Sequence, residues 1–161
     1  MSTIKGLAND LKTHQNNGYT VIVLDGVPQL EEVTTKMILL SDLLLIPMTP
    51  SIEDLKSSEK FLERYTDAKA ILEGVRNLYA FIVLNRYSGR NKEDLEMQEA
   101  LKLFKAEGIT SLKSTLDTRV AHRRSSKYGL TALEWEDGKA QGEVNQLCQE
   151  IEQSLMNLIG G

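Results

Sequence analysis

Two short polar pairs, each placed at the end of an apolar run, are the residues best positioned to do chemistry. Asp25 and Gly26 follow Val21–Leu24, and Asn85 and Arg86 follow the run LYAFIVL at 78–84. In an open α/β sheet, ligands gather outside the carboxyl ends of the strands, so a carboxylate directly after an apolar strand points toward the crevice. The plainer reading of Asp25 is a side chain capping its own turn. Asn85 carries an amide that can donate and accept together; its plainer reading is a turn-former closing the strand.

Cations supply the second kind of chemistry. Arg90 and Lys92 follow the second pair, and Arg119, Arg123, Arg124 and Lys127 cluster on one predicted helix. Attraction to phosphates needs only well-placed cations and no base-reading motif. A solvated helix face explains any one of them equally well. His14 and His122 have no neighbouring metal ligand, and the lone Cys148 excludes an internal disulfide and reads as a core thiol. Trp135 reads as a packed aromatic rather than a stacking platform, because no second aromatic accompanies it in that reading.

The elements that must hold these residues alternate. Val21–Leu24 is rich in β-branched residues and reads as a strand buried on both faces. Further strands are expected at 43–46, 78–84 and 109–113. Helices are expected at 3–14, 31–40, 52–65, 67–73, 92–107, 119–128 and 139–158, with Gly74, Gly108 and Gly129 as stops. The terminal helix places Val144, Leu147, Cys148, Ile151, Leu155 and Ile159 on one face. Such alternation describes an α/β, doubly wound, mostly parallel sheet with helices on both faces.

Composition sets the outer limits. A chain of 161 residues, 41% hydrophobic and 26% charged, fits one domain, here 1–161, with a real core. The net charge of −4 gives no global basic field, so nucleic acid would have to meet a local patch. No apolar run reaches the ~18 residues of a membrane span. The terminal helix also lacks the cations of an interfacial one, since Glu150, Glu152 and Gln153 precede SLMNLIGG. A cytoplasmic protein with no membrane partner is the expectation.

The ordered segments YTVIVLDGVPQL, LLSDLLLIPMTPSIEDL, FIVLNRYSGR and STLDTRVAHRRSSKYGLTALEWEDGKAQGEVNQLCQEI together resemble the ParA/MinD group of deviant-Walker ATPases, and most of all the small ParF-like plasmid-partition proteins. The likeness runs from about Leu7 to Ile151. It implies a P-loop NTPase-like fold and a part in plasmid or chromosome partition, with ATP or ADP and Mg²⁺ as cofactors. It further implies non-specific DNA at the nucleoid and a ParB-type or other centromere-binding protein as partners. By the resemblance, Asp25 is the Walker-B aspartate, which holds the water shell of Mg²⁺, and Gly26 opens the loop that senses the terminal phosphate. Mg²⁺ does favour one or two carboxylates plus phosphates and retained waters. Asn85, with Arg86 beside it, matches the adenine-contacting asparagine, and the loop 115–119 forms the other wall of the base pocket. Arg90, Lys92, Arg119, Arg123, Arg124 and Lys127 correspond to regions that support DNA binding.

The family's glycine-rich P-loop has no counterpart in the sequence. Gly138-Lys139, the one Gly-Lys pair, has no suitably spaced glycine before it. The chain therefore corresponds to the carboxyl-terminal two-thirds of such an ATPase, with the P-loop strand missing. Neither ATP hydrolysis nor bound nucleotide or Mg²⁺ is expected of this chain alone, the cofactors being those of the intact family. The alternatives are a non-enzymatic interaction module that keeps the sheet, or one half of a split ATPase. Loss of a central strand would leave backbone groups unpaired, which favours self-association.

Overall fold

A computed structural model describes residues 4–26, 31–87 and 95–159. The chain divides into two compact units, one of Met1–Asp42 with Arg64–Leu78, the other of Leu43–Glu63 with Tyr79–Gly161. The first contains α1 (Ile4–Asn16) and α2 (Glu31–Leu40). The second contains β1 (Leu43–Met48), β2 (Tyr79–Asn85), α4 (Leu95–Ala106), β3 (Thr110–Leu116), α5 (Val120–Lys127) and α6 (Gly138–Ile159). Helix α3 (Ile52–Leu72) begins in the second unit and ends in the first. It is continuous, where two helical pieces were expected; Thr66 and Asp67 are tolerated inside it because neither removes a backbone hydrogen bond.

The three strands form a parallel sheet in the order β1-β2-β3. The middle strand β2 is apolar because it is covered on both faces, whereas β1 buries only Ile46 and Met48, and β3 (TSLKSTL) buries only Leu112. Ile46, Met48, Ala80, Ile82, Val83, Leu84 and Leu112 are buried, as are Met97 and Phe104 of α4. Pro47 sits within β1, opposite Val83. A residue without an N–H is compatible with a strand only where one of its sides carries no ladder, and β1 has a partner on one side alone among the described residues.

The pairing of β2 with β3 is interrupted. Ile82 faces Ser111 and Leu84 faces Thr115, so two steps along β2 correspond to four along β3. Leu112, Lys113 and Ser114 have no register partner on β2, which makes this a bulge. Strand β3 runs on to Leu116, three residues beyond the expected end at Lys113.

In the first unit, Ile38, Tyr65, Ala68, Leu72 and Leu78 are buried. Arg76 closes the end of α2: its guanidinium donates to the carbonyls of Leu39 and of Ser41 (2.9 Å) and to Asp42 Oδ1 (2.7 Å). These are the carbonyls that a helix end leaves without partners.

The expected strand at Val21–Leu24 is corrected. Residues 21–26 carry no ladder, and Val21 and Val23 are 59% and 86% exposed, while Ile22 and Leu24 are half-buried. An apolar β-branched run becomes a strand only when another strand takes its N–H and C=O groups, and none of the described strands does so. Cys148 is also exposed rather than a core thiol, because it lies beside the inward stripe of α6 instead of on it. No helix among the described residues is long and apolar enough to cross a membrane.

Phe104 is 2% exposed, whereas its neighbour Leu103 is 53% exposed. Phe104→Ala is expected to lower stability in urea unfolding by about 3–5 kcal/mol, and Leu103→Ala to change it by less than about 0.5 kcal/mol.

Candidate functional site

Because the strands are parallel, Met48, Asn85 and Leu116 bring their carboxyl ends to one rim of the sheet, and Asn85 lies directly opposite Leu116. The Tyr87 N–H donates to the Leu116 carbonyl at 3.0 Å, which extends this pairing beyond the strands. The rim therefore joins Asn85 and Arg86 to the loop that follows β3.

Arg86 occupies the left-handed region, with φ of 52°. It is the one non-glycine residue to do so among those described. Such a conformation costs an L-residue roughly 1–2 kcal/mol, and strain of this kind collects at sites where function fixes the backbone. Asn85 Oδ1 accepts the Arg86 N–H at 2.9 Å, which offsets part of that cost and leaves the amide NH₂ as the available donor. Asn85 is half-buried and Arg86 exposed.

The loop after β3 is fixed from α6. Glu143 Oε1 accepts from Arg119 Nε at 3.0 Å and from its terminal NH₂, and Oε2 accepts the Asp117 N–H at 3.2 Å. Asp117 Oδ1 in turn accepts the Thr118 N–H at 2.6 Å. The hydrogen bond to Glu143 raises the Arg119 pKa further above its ordinary value. Arg119 thus anchors the loop, while Arg123, Arg124 and Lys127 on α5 are exposed and make no ion pair with described residues. Arg90 and Lys92 lie outside the described residues.

A second carboxylate two turns along α6 holds the bulge. Glu150 accepts the N–H groups of Lys113 and Ser114, both at 2.7 Å, and these are groups that left the β2–β3 ladder. Burial alone would raise the Glu150 pKa, but the donors from Lys113 and Ser114 outweigh it, and the carboxyl titrates below the ordinary glutamate range. Sequence reading treated Glu150 only as an acid on a polar face. The available signal was spacing: Glu143 and Glu150, seven residues apart, share one edge of the stripe Val144, Leu147, Ile151.

Asp25 and Gly26 belong to the other unit. Asp25 is exposed and makes no hydrogen bond or ion pair with described residues, and a Cβ on Gly26 would meet only Met37, at 3.9 Å. A single free carboxylate suits an outer contact to a hydrated cation. It cannot hold a metal alone, and no cluster of three or more metal-ligating side chains exists among the described residues.

One contact near α5 that sequence reading missed is aromatic. Tyr128, at the end of α5, stacks on Trp135 with ring centroids 5.6 Å apart and planes 20° from parallel. Trp135 therefore has an aromatic companion. Its ring also packs against Ala121, Ala132 and Ala140. Gly129, with φ of 70°, lets the Leu130 N–H reach the Ser125 carbonyl (3.0 Å) and its own N–H reach that of Ser126 (3.1 Å). This left-handed stop ends α5 and sets Tyr128 in place.

No family model matches the chain. It is 26% identical over 145 residues to "Maintenance of carboxysome distribution protein A" of Halothiobacillus neapolitanus (strain ATCC 23641 / c2), covering 88% of this chain and 64% of that protein. The chain thus spans just under two thirds of that relative's length. Among solved structures it shares the fold of a "Partition Protein", with a TM-score of 0.54 at 20% identity, over 85% of this chain and 35% of the other.

The low pKa of Glu150 has a defined sign. The stabilisation is complete above the ordinary glutamate pKa and is lost as pH falls through it toward the lower folded value. Glu150→Gln should cost about 1–3 kcal/mol at neutral pH and reduce the loss of stability below about pH 5 in urea titrations against the parent chain. Glu143→Gln is expected to speed amide exchange at Asp117 at least about tenfold, with slow exchange retained at Ile82 in the sheet interior.

Proposed function

We propose that this chain belongs to a ParA-type ATPase that positions or partitions a cargo, plasmid or chromosomal DNA in the ParF-like reading, over the nucleoid. The observation that carries this reading is the rim itself, where a strained Asn85-Arg86 turn meets the carboxylate-anchored loop 117–119 at the carboxyl ends of parallel strands. Ligands bind at that end of open α/β sheets. The similarity to a carboxysome-distribution protein over 88% of the chain supports the same role.

In this proposal Asn85 donates its amide NH₂ to a purine edge, and the loop 115–119 forms the facing wall. Arg86 stands beside the base; for the other unit, taken by itself, the resemblance gives Asp25 a hydrated Mg²⁺ and Gly26 the start of the phosphate-sensing loop. ATP and Mg²⁺ supply the switch between states. The cationic face of α5, with Arg123, Arg124 and Lys127, takes DNA phosphates without reading sequence. A centromere-binding or cargo-adaptor protein is the proposed partner, and self-association accompanies nucleotide binding. The sequence contains no phosphate-cradling glycine loop, so the 161-residue chain on its own is proposed to bind DNA without turning over ATP.

Fluorescence anisotropy tests the DNA arm. The chain is expected to bind duplex DNA irrespective of sequence at low salt, with affinity falling steeply as salt rises. Replacing both Arg123 and Arg124 with Glu should weaken that binding more than about tenfold while the thermal midpoint is unchanged. A sequence-independent complex that survives the double replacement would remove α5 from the proposal. Sustained phosphate release from ATP by the purified chain would contradict the nucleotide arm.

A further inference from the structure

The cationic face of α5 ends in an aromatic surface that attraction to phosphates does not require. Val120, Arg124 and Tyr128 follow one another at intervals of four residues and so share a stripe of the helix, with Arg123 and Lys127 beside it. Tyr128 is 66% exposed. Its ring stacks on Trp135, which packs against Ala121, Ala132 and Ala140, so an exposed ring is held on a packed support.

The neighbouring acids are largely engaged. Glu134 accepts from the Thr131 N–H (2.8 Å) and hydroxyl (2.9 Å), and Asp137 Oδ1 accepts the N–H groups of Lys139 and Ala140. By contrast, Arg123, Arg124 and Lys127 make no ion pair with described residues. A rigid aromatic face beside unpaired cations is the arrangement that binds unpaired bases, because every base has a π-face and every linkage a charge. A base inside a duplex has no free face to offer.

We propose that Tyr128, backed by Trp135, is a stacking surface for an unpaired base of single-stranded nucleic acid whose phosphates lie along Arg123, Arg124 and Lys127. This deepens the nucleic-acid reading and rests on it. The α5 face then distinguishes strand states, since duplex DNA uses only the cations and a single strand uses the cations and the ring.

Trp135 is the only tryptophan, so its fluorescence reports on this surface alone. The test titrates the full chain with an oligothymidylate of roughly 20 nucleotides, with a duplex of equal length, and with an acidic peptide, following both anisotropy and Trp135 emission. The oligothymidylate is expected to quench Trp135. Tyr128→Ala and Tyr128→Leu should each weaken its binding about tenfold and leave duplex binding within about twofold, while Tyr128→Phe binds like the parent. Tyr128→Leu keeps Trp135 covered, so its loss cannot be assigned to unfolding. Parent-like oligothymidylate binding by Tyr128→Leu, with duplex binding intact, would overturn the stacking surface and leave the phosphate reading standing. Failure of the parent to bind either nucleic acid would overturn both. Quenching by the acidic peptide but not by oligothymidylate would overturn the proposal in favour of a protein partner.

Discussion

Two carboxylates on one helix govern how the second unit presents its rim. Glu143 and Glu150 lie two turns apart on α6, and each accepts backbone N–H groups from β3 or the loop beyond it. A bulge that removes residues from a ladder leaves donors that must find acceptors elsewhere. Glu150 provides them at Lys113 and Ser114, and Glu143 does the same at Asp117 while holding Arg119. The direction of β3 past Asn85, and so the shape of the rim, follows from these bonds.

Much of this architecture was readable from pattern. The apolar runs expected as strands at 43–46 and 78–84 become β1 and β2, and the expected helices recur with shifts at their ends, those at 52–65 and 67–73 joined into α3. They were legible because β2, covered on both faces, must be apolar throughout, and because a glycine such as Gly129 marks a helix stop that other residues resist. Val21–Leu24 misled for the same reason that the others succeeded. Its composition suits a strand, but strand formation also depends on a partner, which composition does not contain.

The site was legible only in part. Asn85 and Arg86 stand where a strand end predicts, but the left-handed turn at Arg86 has no signature in an arginine. Arg119 looked like its cationic neighbours, and only the position of Glu143 in space separates an anchor from a free charge. The same holds for the aromatic pair. Tyr128 and Trp135 are joined by the path of a loop closed at Gly129, so their stacking follows from tertiary geometry rather than from spacing.

Pro47 gives the sheet a direction. A proline in β1 offers no donor to a strand that would lie on its free side, so any chain added there must cross that point with one bond fewer or shift its register. Indiscriminate strand addition is thereby penalised at the border of β1 that has no partner among the described residues. The discrimination comes from a missing proton rather than from a side-chain lock.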